Sequence, residues 1–187
     1  MNFSDFYIVL DKDTRGSLNL IPKLKQEIDI NQVFRNELMP DKVIEFFPNY
    51  GTQAFDFLNS GYAGVFLISR FIFDLLTTNK ISGWKAIPAR ILGYESLEYF
   101  LLTIKGRCSA IDYDKSESFI KPPFTPTGKP FEAKRGLFFD LNSWDGSDIF
   151  TPDNSRMIFV TEKVKKILIK SKATNILVES IIKHVII

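Results

Sequence analysis

A single cysteine, a single histidine and almost no net charge remove several function classes from this 187-residue chain at once. One Cys108 excludes an intramolecular disulfide framework and a cysteine-rich zinc site. The only histidine, His184, lies close to the end of the sequence, a poor platform for a base that must be held rigidly beside a nucleophile. A formal charge of +2 supplies no global field toward nucleic acid or an anionic membrane. Neither a Gly-x-Gly-x-x-Gly nor a Walker pattern occurs, so no glycine loop is set up to cradle a phosphate. The longest apolar stretch, around Tyr62 to Ile68, is far below the roughly 18 residues that span a bilayer. The N-terminal Asp5, Asp11 and Asp13 surround a five-residue apolar run with no basic region before it, so no signal peptide is expected. These features suit a cytoplasmic protein with no membrane partner.

Phenylalanine is abundant instead, with 18 copies against 6 Tyr and 2 Trp. Such rings bury large areas, so most belong to a core, while a subset could form an exposed contact patch. A chain of this size with 45% hydrophobic residues is expected to fold as one domain spanning 1–187.

Phe66-Leu67-Ile68-Ser69, followed by Ile72, Leu75 and Leu76, is echoed 92 positions on by Ile158-Phe159-Val160-Thr161, followed by Val164, Ile167 and Leu168. Each copy reads as a strand, a hydroxyl N-cap (Ser69, Thr161), an amphipathic helix and a second strand. Residues 65–92 and 157–182 therefore form two similar strand–helix–strand units, arising either from duplication or from recurrence of a common pattern. Phe71 and Phe73 would widen the first helix's apolar face. With further strands at Phe6–Leu10 and Val43–Phe47 and a hairpin around Gly93–Ser96, the fold class is α+β with mixed and antiparallel sheet. Pro48 should stop the second strand, and Pro88 marks an edge or a bulge. Short helices are expected near Gln32–Leu38 and Gln53–Leu58, and a strand over Gly136–Leu141. Asp112 to Arg135, with four of the nine prolines between Pro122 and Pro130, reads as a long loop, proline-rich over 115–135.

Chemistry-bearing residues are sparse. Cys108 follows Arg107, which could lower its pKa, but an incidental small residue is the simpler reading. Asp112-Tyr113-Asp114-Lys115 has the acid-x-Lys end of a nuclease site without a partner acid. Asp145-Gly146-Ser147-Asp148 has the look of a calcium loop but lacks the later bidentate Glu, and Asp and Gly are also what tight turns require. No cofactor or metal site is expected. Leu137 to Ser155 carries Asp140, Asp145, Asp148 and Asp153 with no Lys or Arg, beside basic stretches such as Lys163, Lys165, Lys166, Lys170 and Lys172. Segregated charge of this kind suits steering of a protein partner. Asp140, Trp144, Asp145 and Asp148 are the candidate partner-binding residues. Trp144 is either an interface hot spot or a core anchor beneath a turn.

Taken in order, Asp56-Phe57-Leu58, Val65 to Ser69, Trp84 with Ile87-Pro88-Ala89, Tyr99 to Leu102, Ile111-Asp112 with Ser116, Ser143 to Phe150, and Ile158 to Val164 resemble the immunity proteins of bacterial polymorphic toxin systems. The group in question was long catalogued as a domain of unknown function. The resemblance runs over 56–187 and draws little from the first fifty residues. Its motifs are structural, and it brings no active site to these positions. It implies a cytosolic, non-enzymatic antidote that binds and neutralises a cognate protein toxin, with homo-oligomerisation open. The alternative is a nucleic-acid-binding protein or hydrolytic enzyme using the 112–135 segment, where Phe119, Phe124 and Phe131 alternate with basic residues.

Overall fold

Among the described residues, short β-rich runs separated by glycine and asparagine turns leave only two helices longer than one turn and a half. The computed structural model describes residues 2–23, 29–37, 43–153 and 155–186. Strands β1 (Phe6–Asp11) and β2 (Asn19–Pro22) precede α1 (Ile30–Phe34), which Asp29 caps by accepting from the Asn31 N–H. The helix expected at Gln32–Leu38 thus begins earlier, and its last residue lies outside the described set. Strand β3 (Ile44–Tyr50) runs through Pro48 rather than stopping there, because beyond Phe46 only β2 pairs with it. Residues expected to be helical at 53–58 instead lead into β4 (Phe57–Asn59), whose pairing with β5 (Phe66–Ser69) overrides local preference.

Helix α2 (Arg70–Thr78) follows, with the Ser69 hydroxyl accepting from the Ile72 N–H at 3.4 Å. Ile72 and Leu76 are buried and Phe73 stacks on Phe100, but Phe71 points to solvent and does not widen the apolar face. Then come β6 (Trp84–Ile91), β7 (Tyr99–Ile104) and β8 (Gly106–Cys108). Pro88 lies just before Ala89, the first residue of that end of β6 to pair with β3, so the proline occupies a one-sided stretch. The segment expected to be a loop contains two strands, β9 (Glu117–Lys121) and β10 (Phe131–Arg135), so only 122–130 is a loop. Conversely, 136–140 belongs to no strand, and Leu141 opens a turn of 3-10 helix. Gly136 takes φ +91°, and the Gly136 and Leu137 N–H groups donate to the His184 and Ile181 carbonyls. The chain closes with β11 (Ile149–Pro152), β12 (Ile158–Thr161), α3 (Glu162–Ser171), β13 (Ile176–Ser180) and β14 (Val185–Ile186).

These elements form an α+β domain of three sheets. Strands β2-β3-β6-β7-β5-β4 close into a barrel, β13-β1-β12-β11-β8 form an open mixed sheet, and β14-β10-β9 form a small antiparallel one. The repeat read from the sequence extends well beyond two helices. The pairs Phe57–Ile68 and Leu58–Leu67 between β4 and β5 recur 92 positions on as Ile149–Val160 and Phe150–Phe159 between β11 and β12. Strand β7 lies between β5 and β6, antiparallel to both, and β1 lies likewise between β12 and β13. Each unit is therefore a split β–α–β, not a pair of neighbouring strands. In register, Tyr99, Phe100 and Leu101 of β7 face β5 as Phe6, Tyr7 and Ile8 of β1 face β12. Matching residues even share rare backbone: Lys80 and Lys172 have φ +51° and +58°, Gly83 and Asn175 have +85° and +59°. Asparagine is one of the few side chains that tolerate this left-handed region. So many coincident registers make the chain a structural duplication of one split β–α–β unit, with one copy of the middle strand drawn from the other end of the chain.

The helices of both copies share one core. Ile72 and Leu76 of α2 and their counterparts Val164 and Leu168 of α3 line a small cavity of about 20 Å³, walled only by apolar side chains from both sheets. The opposite faces of the sheets diverge. In the first copy Leu58, Leu67, Tyr99 and Leu101 turn into the barrel. Their counterparts Phe150, Phe159, Phe6 and Ile8 form a second core, roofed by Leu137 and Phe139, in which Phe6 meets Phe139 and Phe150 edge-on at 5.5 and 5.4 Å. The phenylalanines are thus shared between the two cores, with Phe34, Phe46, Phe57 and Phe66 buried in the first and Phe6, Phe139, Phe150 and Phe159 in the second.

Candidate functional site

The four candidate contacts all lie in the segment that leads into β11, but they are not one patch of free side chains. Asp140 is exposed and caps a turn of 3-10 helix at Leu141–Ser143, accepting from the Asn142 N–H at 3.0 Å. Trp144 is half-buried. Its ring meets Phe6 edge-on at 5.1 Å, and its Nε1–H donates to the Ser147 carbonyl at 3.1 Å. Of the two roles the sequence allowed, the geometry is that of a core anchor beneath the turn.

Asp145 is exposed yet occupied. Its Oδ2 accepts from the Arg107 N–H at 2.9 Å and its Oδ1 from the Ser147 N–H at 3.0 Å. Asp148 is the most committed, with its side chain 17% exposed. Its Oδ2 accepts from the Ser82 N–H at 3.0 Å, the Ser82 hydroxyl at 3.1 Å and the Lys163 ammonium at 3.0 Å. Burial pushes the Asp148 carboxyl up, but the Ser82 N–H, Lys163 and the Ser82 hydroxyl outweigh it and hold the carboxyl below its ordinary value.

The duplication explains Asp148. Its repeat counterpart, Asp56, accepts on Oδ2 from the Thr174 N–H and hydroxyl at 2.9 and 2.7 Å, and on Oδ1 from the Ser69 hydroxyl at 2.8 Å. Each Asp thus joins the start of its own copy's helix to the segment just after the other copy's helix. Sequence reasoning missed this pair, although the 92-residue spacing of Asp56 and Asp148, and of Ser82 and Thr174, was available to find it. Thr161 occupies the N-cap position of α3 but makes no side-chain cap bond. Its hydroxyl is turned to Asp148 Oδ1 at 3.4 Å.

The remaining chemistry-bearing residues are also locally tied. Asp112 accepts from the Asp114 N–H at 3.2 Å and pairs with Lys115 at 3.0 Å, whose hydrogen bond holds its carboxyl below the usual range. Cys108 is buried, and desolvation, reinforced by Asp153 and Asp145, pushes its thiol up to about 12. Arg107 does not activate it, because its guanidinium donates to the Ile104, Gly106 and Arg35 carbonyls. His184 Nδ1 lies 3.0 Å from Glu179 Oε2. Among the described residues, no group of three His, Cys, Asp or Glu side chains is placed to hold a metal ion, and no helix is long and apolar enough to cross a membrane.

The most exposed large apolar side chains lie elsewhere, on the hairpin of β9 and β10. Ile120 is 68% and Phe124 77% exposed, and Phe124 stacks on Phe131 at 4.7 Å. Arg135 lies 4.6 Å from the centre of the Phe119 ring and 3.1 Å from Glu117. Treating 115–135 as one loop hid this platform, since hairpin pairing is what aligns the rings. Compared with known proteins, the chain matches no protein-family model and no curated protein.

Proposed function

We propose that this protein is a cytosolic antidote of the immunity type, which binds a cognate bacterial toxin directly and blocks it without chemistry of its own. The resemblance in segment order over 56–187 supplies the class. The observation that carries the reading is the β9–β10 hairpin, which holds Ile120 and Phe124 out from a duplicated framework that does not need them. Large exposed apolar groups on a rigid platform are the usual anchors of a protein interface. Asp140 and Asp145 remain solvent-facing and can contribute to steering, whereas Trp144 and Asp148 act within the fold.

The test is growth rescue. Cells expressing the product of the gene adjacent to this one should stop growing, and co-expression of this protein should restore growth through a complex that co-purifies. Toxicity that persists at equal expression, or rescue without a complex, would remove the antidote reading.

A further inference from the structure

Each copy of the repeat carries an insertion at the same place. Residues 23–56 lie between β2 and β4, and residues 109–148 between β8 and β11, where β2 and β8 each pair in parallel with the strand that follows the insertion. The first insertion is spent on the core: it closes the barrel with β3 and buries Val33, Phe34 and Phe46. In the second, the matching task is done by Leu137 and Phe139, with Ile111, Leu141 and Trp144 packed against them. The hairpin is surplus to both cores, and of its two strands only Ala133 is buried.

What the hairpin offers has a definite chemistry. β9 pairs with β10 on one side, and among the described residues its other edge has no strand beside it. Ile120 stands opposite Glu132 on the outer face, and Phe124 crowns the tip. Lys121 and Lys129 flank that tip, neither forms an ion pair among the described residues, and no acid lies between Ser118 and Phe131. Pro122, Pro123, Pro126 and Pro130 stiffen the connection, which lowers the cost of ordering it on binding.

We infer that the free edge of β9 and the Phe124 tip dock an extended, acidic segment of a protein partner. The segment adds a strand to β9 through backbone hydrogen bonds, seats an apolar side chain against Ile120 or Phe124, and sets carboxylates against Lys121 and Lys129. Nucleic acid fits less well. A phosphate backbone needs a continuous track of cations, whereas Glu132 stands beside Ile120 on the outer face and Glu117 lies at the start of β9, paired with Arg135. This inference deepens the antidote reading and rests on it for the partner's identity.

Panning a displayed random dodecapeptide library on the immobilised full-length protein tests it, with depletion on an Ile120→Ser/Phe124→Ser double variant. Both side chains are exposed, so the variant should fold, which circular dichroism checks. Enriched peptides should alternate acidic and apolar residues and bind less tightly as salt rises. They should bind at least about tenfold more weakly to the double variant and to Lys121→Glu/Lys129→Glu. Absence of enrichment over the double variant, neutral or basic consensus peptides, or full binding by the charge-reversed variant overturns the inference. So does oligo-dT binding, or concentration-dependent self-association, abolished by the same substitutions. Peptides that dock here while the adjacent toxin does not bind leave the site standing and remove the antidote reading. Toxin bound equally by wild type and both variants does the reverse.

Discussion

Asp56 and Asp148 join the two halves of the molecule with the same hydrogen bonds run in opposite directions. Asp56 reaches from Ser69, at the start of α2, to Thr174, just after α3. Asp148 reaches from Thr161, at the start of α3, to Ser82, just after α2. Asn keeps the shape of either side chain but withdraws the charge and one acceptor. Asp56→Asn and Asp148→Asn should each lower stability by about 1–3 kcal/mol in denaturant titrations. Because the two carboxylates share no partner, the double variant should be additive within about 0.5 kcal/mol. A neutral result at both sites would contradict the role assigned to them.

The pair differs in one respect that pH exposes. Asp148 also accepts from Lys163 and is held below the ordinary carboxyl value of 3.8. A carboxyl depressed in the folded state contributes stability above its unfolded pKa and loses it as pH falls through the folded one. The stability difference between wild type and Asp148→Asn should therefore be constant above about pH 5 and shrink below the unfolded value. A difference that grew on acidification would reverse the sign and refute the assignment.

The two helix starts should respond differently to loss of a hydroxyl. Ser69 both caps α2 and donates to Asp56, so Ser69→Ala should cost about 1 kcal/mol or more. Thr161 makes no cap bond and its hydroxyl contact is long, so Thr161→Val should cost at most a few tenths of a kcal/mol. Equal losses at both positions would mean that Thr161 caps α3 in solution.

Cys108 should be inert. Its burial and raised pKa leave almost no thiolate at neutral pH. A thiol reagent such as dithionitrobenzoate should react with it only at the rate of unfolding, and at once in denaturant. Rapid reaction in the native protein would contradict the packing of the second core.

The sequence disclosed what depends on local pattern. Ser69 announces α2 because a capping hydroxyl precedes an apolar face of period 3.6, and the echo at Thr161 marks the start of α3 by the same pattern although its hydroxyl makes no cap bond. It did not disclose that β7 and β1 enter between the strands of each unit, since such pairing is set by contacts far apart in the chain. It misassigned 53–58 and 115–135 for a related cause: Phe57 is a strand residue only because Ile68 lies opposite, and Phe119 and Phe131 join a platform only once β9 and β10 pair. For the candidate site, the acidic composition of Leu137–Ser155 was legible, but composition does not say which carboxylates are occupied. Asp145 and Asp148 are held by Arg107 and Ser82, residues 38 and 66 positions away.

The decisive measurement is a calorimetric titration of this protein with an inactivated form of the product of the adjacent gene, the proposed toxin. A one-to-one complex is expected, with affinity reduced at least about tenfold by Ile120→Ser/Phe124→Ser and little changed by Thr161→Val. Absence of binding at micromolar concentrations, with both proteins folded, would contradict the reading of this chain as an antidote.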